Sequence, residues 1–192
     1  EAFLNGAGIT RVKRSVQMLG TSAATWTIGA NNTSSPNPTS GSYSSYENAI
    51  ANDANSFADV FGHGTHVASV AAGRAKYYVS GTPDTTGIAP NADIYDVKVL
   101  DANGQGTISD AMEGIQWVIY HAKEYNIRVM NLSLAADSTE TWQTDPLARA
   151  ARSAVAAGIT VVVAAGNYGQ NGSGAERFGT ISSPGHDPSV IT

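Results

Sequence analysis

A regular exchange between short apolar segments and helical patterns, beginning after the first third of the chain, constrains the fold more than any other feature. Residues 93–100 and 127–132 are short, apolar and partly β-branched, and residues 159–165 are continuously apolar. Such segments predict strands, the last of them buried on both faces. Residues 107–125 and 145–157 carry apolar side chains at the i, i+3, i+4 spacing of amphipathic helices. Because the order β-α-β-α-β requires right-handed crossovers, we predict an α/β fold with a parallel β-sheet between helices.

Both helical patterns begin with recognisable N-terminal signals. Thr107 and Asp110 have the spacing of a capping box, and Asp145 followed by Pro146 has the pattern of an N-cap and a first helical residue. Gly158 is the predicted end of the second helix. In a sheet of this order ligands bind beyond the carboxyl ends of the strands, so the residues that follow the strands are the first candidates for a site.

Composition and charge exclude several classes of protein. With 11 Lys and Arg against 16 Asp and Glu, the net charge is −5, so the chain has no basic field with which to bind nucleic acid. No apolar run approaches the roughly 18 residues that span a bilayer, and no targeting segment is visible. Cysteine is absent, which excludes disulfide scaffolds and thiol catalysis. Residues 31–46 carry no charge and no aliphatic side chain, and we predict a surface loop there.

A histidine between two glycines is the strongest candidate for a catalytic residue. His63 lies in FGHGTHVASVAAG, residues 61–73, at the predicted start of a helix of small residues. Glycines allow a sharp turn and a close approach of a substrate backbone. An imidazole at a junction between loop and helix is suited to act as a general base. The helix has a narrow apolar face that predicts central packing, formed by Val67, Val70 and Ala71.

An asparagine at the end of the last predicted strand is the second candidate. Residues 161–167 read VVVAAGN, so a buried strand leads through Gly166 directly to Asn167. An asparagine amide donates a hydrogen bond without adding charge, which is what a developing oxyanion requires. Taken without its context, Asn167 is more simply interpreted as a turn residue.

Together these two segments resemble the subtilases, the subtilisin-like serine proteases. The segments between and after them resemble the family too: residues 87–92 (GIAPNA) and 95–100 (YDVKVL), residues 131–134 (NLSL), and residues 183–192. The resemblance covers residues 60–192 in unbroken order. It implies the subtilisin-like three-layer fold, with a parallel sheet between helices, incomplete in this chain.

The resemblance implies a role for each matching residue. His63 matches the general base and Asn167 the oxyanion-hole donor of the family. The edge strand that pairs with an extended peptide is matched by Gly104, Gln105 and Gly106. The other side of that cleft and one wall of the first specificity pocket are matched by Ser133, Leu134 and Ala135. Where the family has Gly-Gly, this chain has Ala135-Ala136, which is predicted to narrow the pocket entrance.

Two motifs of the catalytic triad are not recognisable in the chain. Asp53 and Asp59 are the only aspartates before His63, and neither follows a buried strand, so we predict solvated loop carboxylates. The GTSAA sequence around Ser22 is similar to the nucleophile motif, but it precedes the histidine and lacks the proline. We therefore expect neither the triad Asp nor the triad Ser among these residues.

The expected identity is an interior fragment of a subtilase catalytic domain. Residues 1–59 are the variable, polar-loop-rich part and residues 60–192 the core with the His and oxyanion-hole segments. The resemblance implies a secreted, extracellular serine endopeptidase that acts on polypeptides, with no nucleic-acid or membrane partner. The expected partners of the chain are an upstream Asp strand and a downstream Ser helix, without which it is predicted to be inactive. The alternative is a non-catalytic protease-like domain that binds peptides or serves as a scaffold.

The remaining histidines and loops suggest weaker alternatives. His63 and His66 lack the H-E-x-x-H spacing of a zinc site, and we predict that His66 is packed in the core while His121 and His186 lie at the surface. The glycines at 104–106 lack the third glycine of a dinucleotide fingerprint. No cofactor is required by the resemblance. A structural calcium stays open at the loop of residues 77–87, although Asp84 is its one carboxylate.

Overall fold

The computed structural model of the chain describes residues 2–18, 58–75 and 84–192. The chain divides into two compact units, Glu1–Asp110 and Ala111–Thr192. The predicted surface loop at 31–46, the predicted loop carboxylate Asp53 and the GTSAA segment around Ser22 lie outside the described residues.

The first unit contains a pair of parallel strands and a helix. Strand β1 spans Val12–Gln17, helix α1 spans His63–Ala72, and strand β2 spans Ile94–Lys98. In the pairing of β1 with β2, Gln17 lies opposite Lys98. The apolar pattern does not predict β1, because only two of its six residues are apolar, and it is the parallel pairing with β2 that forms this strand.

Backbone groups from elsewhere in the first unit close the C-terminal end of α1. The N–H groups of Gly87, Ile88 and Ala89 donate to the carbonyls of Gly73, Val70 and Ala71. The last carbonyls of a helix have no partner within the helix, so these bonds satisfy them. The buried guanidinium of Arg11 adds a positive charge at this end, where the helix dipole favours cations, and donates to the carbonyl of Ala72 at 2.6 Å.

The second unit contains the other parallel pair. Helix α2 spans Ile108–His121, strand β3 Val129–Leu132, helix α3 Pro146–Ala156 and strand β4 Thr160–Val163. In the pairing of β3 with β4, Leu132 lies opposite Val163, and α3 is the crossover between the strands. The core of this unit includes apolar side chains of all four elements: Ile115, Val118, Met130, Leu147, Ala151, Val161 and Val163. The predicted strands and helices are confirmed, with shorter bounds.

Both predicted N-terminal helix signals are confirmed by hydrogen bonds. The backbone N–H and the hydroxyl of Thr107 donate to the carboxylate of Asp110, whose own N–H donates to the hydroxyl of Thr107 at 3.1 Å. At α3, buried Asp145 accepts from the N–H of Ala148 at 2.8 Å and from the hydroxyl of Ser183 at 2.7 Å. Burial raises the pKa of Asp145, but these bonds and one from Ser138 outweigh it and hold the pKa below its ordinary value.

An ion pair ties α3 to the last segment of the chain. Arg152 donates to the carboxylate of Asp187 through two nitrogens, at 3.0 and 2.7 Å, and its guanidinium lies over the Trp142 ring. Burial raises the pKa of Asp187, but the hydrogen bonds from Ser189 and Arg152 outweigh it, so the pKa lies below its ordinary value. Asp187 is therefore held in its charged form inside the unit.

Three histidine predictions are corrected by the structure. His66, predicted to pack in the core, is exposed on α1, whose apolar side chain Val70 is also largely exposed. His121, predicted to lie at the surface, is 6% exposed because it stacks on Tyr125 and contacts the Trp117 ring. His186, also predicted to lie at the surface, is half-buried, and its Nε2 is buried without a hydrogen-bond partner.

Candidate active site

His63 is the first residue of helix α1, as the sequence predicts. The preceding Gly62 is the N-cap and has a φ of 84°, a left-handed conformation that glycine adopts without strain. The carbonyl of Gly62 accepts the first helical hydrogen bond, from the N–H of His66 at 3.0 Å. The His63 side chain is exposed and forms no hydrogen bond or ion pair with another described residue. An accessible imidazole on a structured helix terminus can accept a proton from a group brought to it.

Asp59 contacts the backbone around His63 rather than solvent alone. One carboxylate oxygen accepts from the N–H of Gly62 at 2.8 Å, and the other from the N–H of Thr65 at 2.7 Å. The bond from Thr65 is the main cause of a pKa below the ordinary value of Asp59, and partial burial opposes it. Asp59 is a loop carboxylate, as predicted, but it also accepts hydrogen bonds from the backbone at the start of the following helix. Its hydrogen bonds lead to the helix backbone and not to the imidazole.

The segment predicted to pair with a peptide forms a tight turn in the same unit. The carboxylate of Asp101 accepts from the N–H groups of Asn103 and Gln105, at 2.8 and 2.9 Å. Gly104 has a φ of 74°, and a Cβ added to it would lie 2.8 Å from the ring of Phe61. The chain just before His63 thus packs on this turn, and only a glycine fits at the contact.

In the second unit the predicted cleft segment follows strand β3. Ser133 and Leu134 are half-buried and Ala135 is exposed. The hydroxyl of Ser133 accepts from the side-chain amide of Asn131 at 2.9 Å. Ala136 forms an antiparallel bridge with Ser183 through two backbone hydrogen bonds, at 2.9 and 3.0 Å. The segment is therefore anchored at both of its ends, by Ser133 and by the residue after Ala135.

Asn167 follows strand β4 at the corresponding edge of the same pair of strands. Gly166 has a φ of 94°, and a Cβ added to it would lie 2.5 Å from the hydroxyl of Ser182. Asn167 is exposed, and its side chain forms no hydrogen bond with another described residue. It lines an open depression of about 570 Å³, together with Gly169, Gln170, Glu176, Arg177 and Phe178. An exposed amide beside an open space can donate to an oxygen that develops negative charge there.

No motif in the sequence identifies the residues that line this depression with Asn167. Gln170 and Glu176 form an antiparallel bridge, and the side-chain oxygen of Asn171 accepts from the N–H groups of Ser173 and Ala175 within the turn. The hairpin leaves Phe178 88% exposed. An asparagine and two glycines at 171–174 indicate a turn, but no periodic pattern associates the hairpin with Asn167.

The predicted site residues fall into the two units. The first unit contains His63 and the turn with Gly104, Gln105 and Gly106, which packs on Phe61. The second unit contains Asn167 and the segment with Ser133, Leu134 and Ala135, both at the carboxyl ends of the β3–β4 pair. Within residues 2–18, 58–75 and 84–192, no group of three acidic or histidine side chains is arranged to hold a metal ion. In the same ranges, no helix has the length and apolar character needed to cross a membrane.

Comparisons with known proteins agree with the sequence motifs. The sequence model of the Subtilase family matches residues 27–192. The match therefore begins upstream of residue 60 and includes the polar segment of residues 31–46. Serine protease AprX of Bacillus subtilis (strain 168) is 40% identical over 136 residues, which cover 68% of this chain and 29% of that protein. Subtilisin DY of Bacillus licheniformis is 40% identical over 130 residues, which cover 68% of this chain and 41% of that protein.

A solved structure supports the fold. The match to Sphericase has a TM-score of 0.50 and 30% sequence identity, and it covers 61% of this chain and 36% of that one. This neighbour and the parallel strands joined by helices confirm the predicted subtilisin-like α/β fold. The chain spans less than half the length of these relatives. From the family match over most of its residues, we conclude that this chain belongs to the subtilase family.

Proposed function

We propose that the protein is a serine-type endopeptidase and that this chain supplies the general base, His63, and the oxyanion donor, Asn167. The observation that carries the proposal is the position of His63: an exposed imidazole, free of other described partners, on the first residue of a helix. Membership of the subtilase family supports it. The orienting Asp and the nucleophilic Ser are proposed to come from residues other than those of this chain.

The proposed reaction divides peptide hydrolysis into two steps. The serine hydroxyl attacks the carbonyl carbon while His63 takes its proton, and the carbonyl oxygen becomes an oxyanion that accepts a hydrogen bond from the Asn167 amide. His63 then gives the proton to the leaving amine as the C–N bond breaks, which leaves an acyl-enzyme. Water attacks the acyl group with His63 again as base, so that the carboxylic acid leaves and the serine regains its proton. These steps use protein side chains and water and require no cofactor.

We propose that the substrate is an extended polypeptide. Its backbone would pair with Gly104, Gln105 and Gly106 on one side and with Ser133, Leu134 and Ala135 on the other, since main-chain hydrogen bonds bind an added strand regardless of its sequence. The anchored ends of these two segments support this role, because a preformed edge loses little freedom when a peptide binds. Action outside the cell is proposed from the family resemblance.

The test measures both peptide hydrolysis and labelling by a fluorophosphonate probe on the full-length protein. His63→Ala is expected to lower kcat on the order of 10⁶-fold, the loss known for subtilisin. Asn167→Leu is expected to lower kcat by about 10²–10³, again the magnitude known for subtilisin. His66→Ala is the matched control, since His66 is exposed one turn further along the same helix, and it should retain wild-type activity.

Two results would decide against the proposal. Unchanged hydrolysis by His63→Ala would show that His63 is not the general base. A wild-type protein that binds peptides but neither hydrolyses them nor reacts with the probe would favour a non-catalytic protease-like domain. Assay of the culture medium and of washed cells separately tests the proposed extracellular location.

A further inference from the structure

The N-terminus of helix α1 lacks the side chain that normally completes a helix start. The first N–H groups of a helix have no partner within it, and an N-cap side chain normally accepts from one of them. The N-cap of α1 is Gly62, which has no side chain to offer. The helix that begins with His63 therefore needs an acceptor from elsewhere.

Asp59 provides that acceptor with both of its oxygens. Its carboxylate accepts from the N–H of Gly62 at 2.8 Å and from the N–H of Thr65 at 2.7 Å. These two bonds lie on either side of His63 in the chain. A Cβ added to Gly64 would lie 3.5 Å from the nearer carboxylate oxygen, so the carboxylate lies alongside the first turn. The loop before His63 and the turn after it are thus held by one side chain.

The charge of Asp59 strengthens this arrangement. A negative charge at a helix N-terminus is stabilised by the helix dipole, and hydrogen bonds to an ionised acceptor are about twice as strong as neutral ones. The helical bond from the N–H of His66 to the carbonyl of Gly62 is a further link between this loop and the first turn of α1.

We propose that Asp59 is the positioning residue of the catalytic base: its carboxylate fixes the first turn of α1 and thereby the direction in which the His63 side chain points. This inference rests on the proposed function, because it assigns Asp59 an effect on proton transfer through His63. Asp59 touches the backbone and not the reacting atoms, so its loss should slow chemistry and leave substrate binding unchanged. A displacement of about 1 Å in a reacting group is enough to cost up to roughly 100-fold in rate.

The experiment compares Asp59→Ala with wild type in the full-length protein. We expect the second-order rate constant for phosphonylation by a fluorophosphonate, and kcat for a peptide, to fall about 10- to 100-fold. KM should stay within about twofold, and the final labelling per mole of folded protein should equal that of wild type. Asp59→Asn keeps the shape of the side chain and one acceptor oxygen, so its phosphonylation rate should lie between those of wild type and Asp59→Ala. Circular dichroism measures the folded fraction of each variant.

Asn5→Ala is the matched control. The side-chain oxygen of Asn5 also accepts from two backbone N–H groups, those of Ala7 and Ile9, both at 2.9 Å, in an exposed loop of the same unit. This variant also loses two hydrogen bonds from backbone N–H groups to a side chain, and it should label at the wild-type rate. Equal rates for Asp59→Ala and Asn5→Ala would overturn the inference, as would a loss explained entirely by a smaller folded fraction. A wild-type protein that does not label, or His63→Ala that labels normally, would instead overturn the proposed function and this inference with it.

Discussion

The buried guanidinium of Arg11 should contribute more to the stability of the first unit than any exposed charge nearby. The residue is 3% exposed, and it donates to the carbonyls of Ala72 and Ala92 at 2.6 Å each and to that of Ala2 at 3.1 Å. One side chain therefore joins the end of α1, the approach to β2 and the first residues of the chain. We consider Arg11→Met, which keeps an apolar stem and removes the charge and the donors.

The expected loss of stability follows from the two 2.6 Å hydrogen bonds of Arg11, to the carbonyls of Ala72 and Ala92. Each hydrogen bond from a charged donor stabilises by about 1.5–3 kcal/mol, so their loss costs about 3–6 kcal/mol. The variant no longer takes a charge out of water, which offsets part of that loss. The expected net decrease in the free energy of unfolding is about 2–4 kcal/mol. The free energy of unfolding of Arg11→Lys should lie between those of wild type and Arg11→Met, because an ammonium lacks the planar set of donors that reaches several carbonyls at once.

Urea unfolding followed by circular dichroism measures the effect. With a slope of about 2 kcal/mol per M, the midpoint for Arg11→Met should decrease by about 1–2 M. Lys13→Met is the matched control: Lys13 pairs with Asp93 at 3.4 Å, but both side chains are exposed, at 43% and 54%. An exposed pair contributes about 0–1 kcal/mol. Equal midpoints for Arg11→Met and Lys13→Met would refute the reasoning.

Three further predictions concern the second unit. Gly166→Ala combines a left-handed φ with a contact at 2.5 Å to the Ser182 hydroxyl, so it should lower the free energy of unfolding by about 1–3 kcal/mol, measured by thermal unfolding. Ser183→Ala removes a buried donor to the N-cap carboxylate of α3 and should cost about 1.5–3 kcal/mol in the same assay; a change below the error of the assay would contradict it. The pKa of Asp187 is lower in the folded protein than in the unfolded chain. Ionised Asp187 therefore stabilises the fold fully above the unfolded-state pKa of about 4, and this stabilisation is lost as the pH falls through the lower, folded-state pKa. Arg152→Gln should make the acid-side loss of stability in a pH series of urea titrations smaller, and an unchanged slope would show that the ion pair does not contribute.

Features determined by neighbours in the chain were predictable. Asp145 followed by Pro146 indicated the start of α3, and the structure has that N-cap with its hydrogen bond to Ala148. The glycine before His63 indicated a junction between loop and helix, and His63 is the first helical residue. The family motifs were recognisable for the same reason, since each is a short run of adjacent residues. Caps and periodic patterns depend on groups within about four positions, which the sequence displays directly.

Features determined by distant partners were not predictable. Strand β1 carries charges at consecutive positions and exists through its pairing with β2, about 80 residues later in the chain. Arg11 is buried because its guanidinium donates to the carbonyls of Ala72 and Ala92, which lie 61 and 81 positions away in the chain. Neither the pairing of two strands nor the burial of a charge against distant carbonyls follows from local pattern.

For this protein, the sequence by itself determined the family, the positions of the helices and most strands, and the two residues to which the catalytic roles are proposed. Only the tertiary structure decided that Arg11 is buried against carbonyls of separate segments, and that Asp59 binds the backbone on both sides of His63. The physical reason is that a buried charge such as that of Arg11 is stable only where backbone groups converge on it, and such convergence of side chain and backbone is a property of the folded chain.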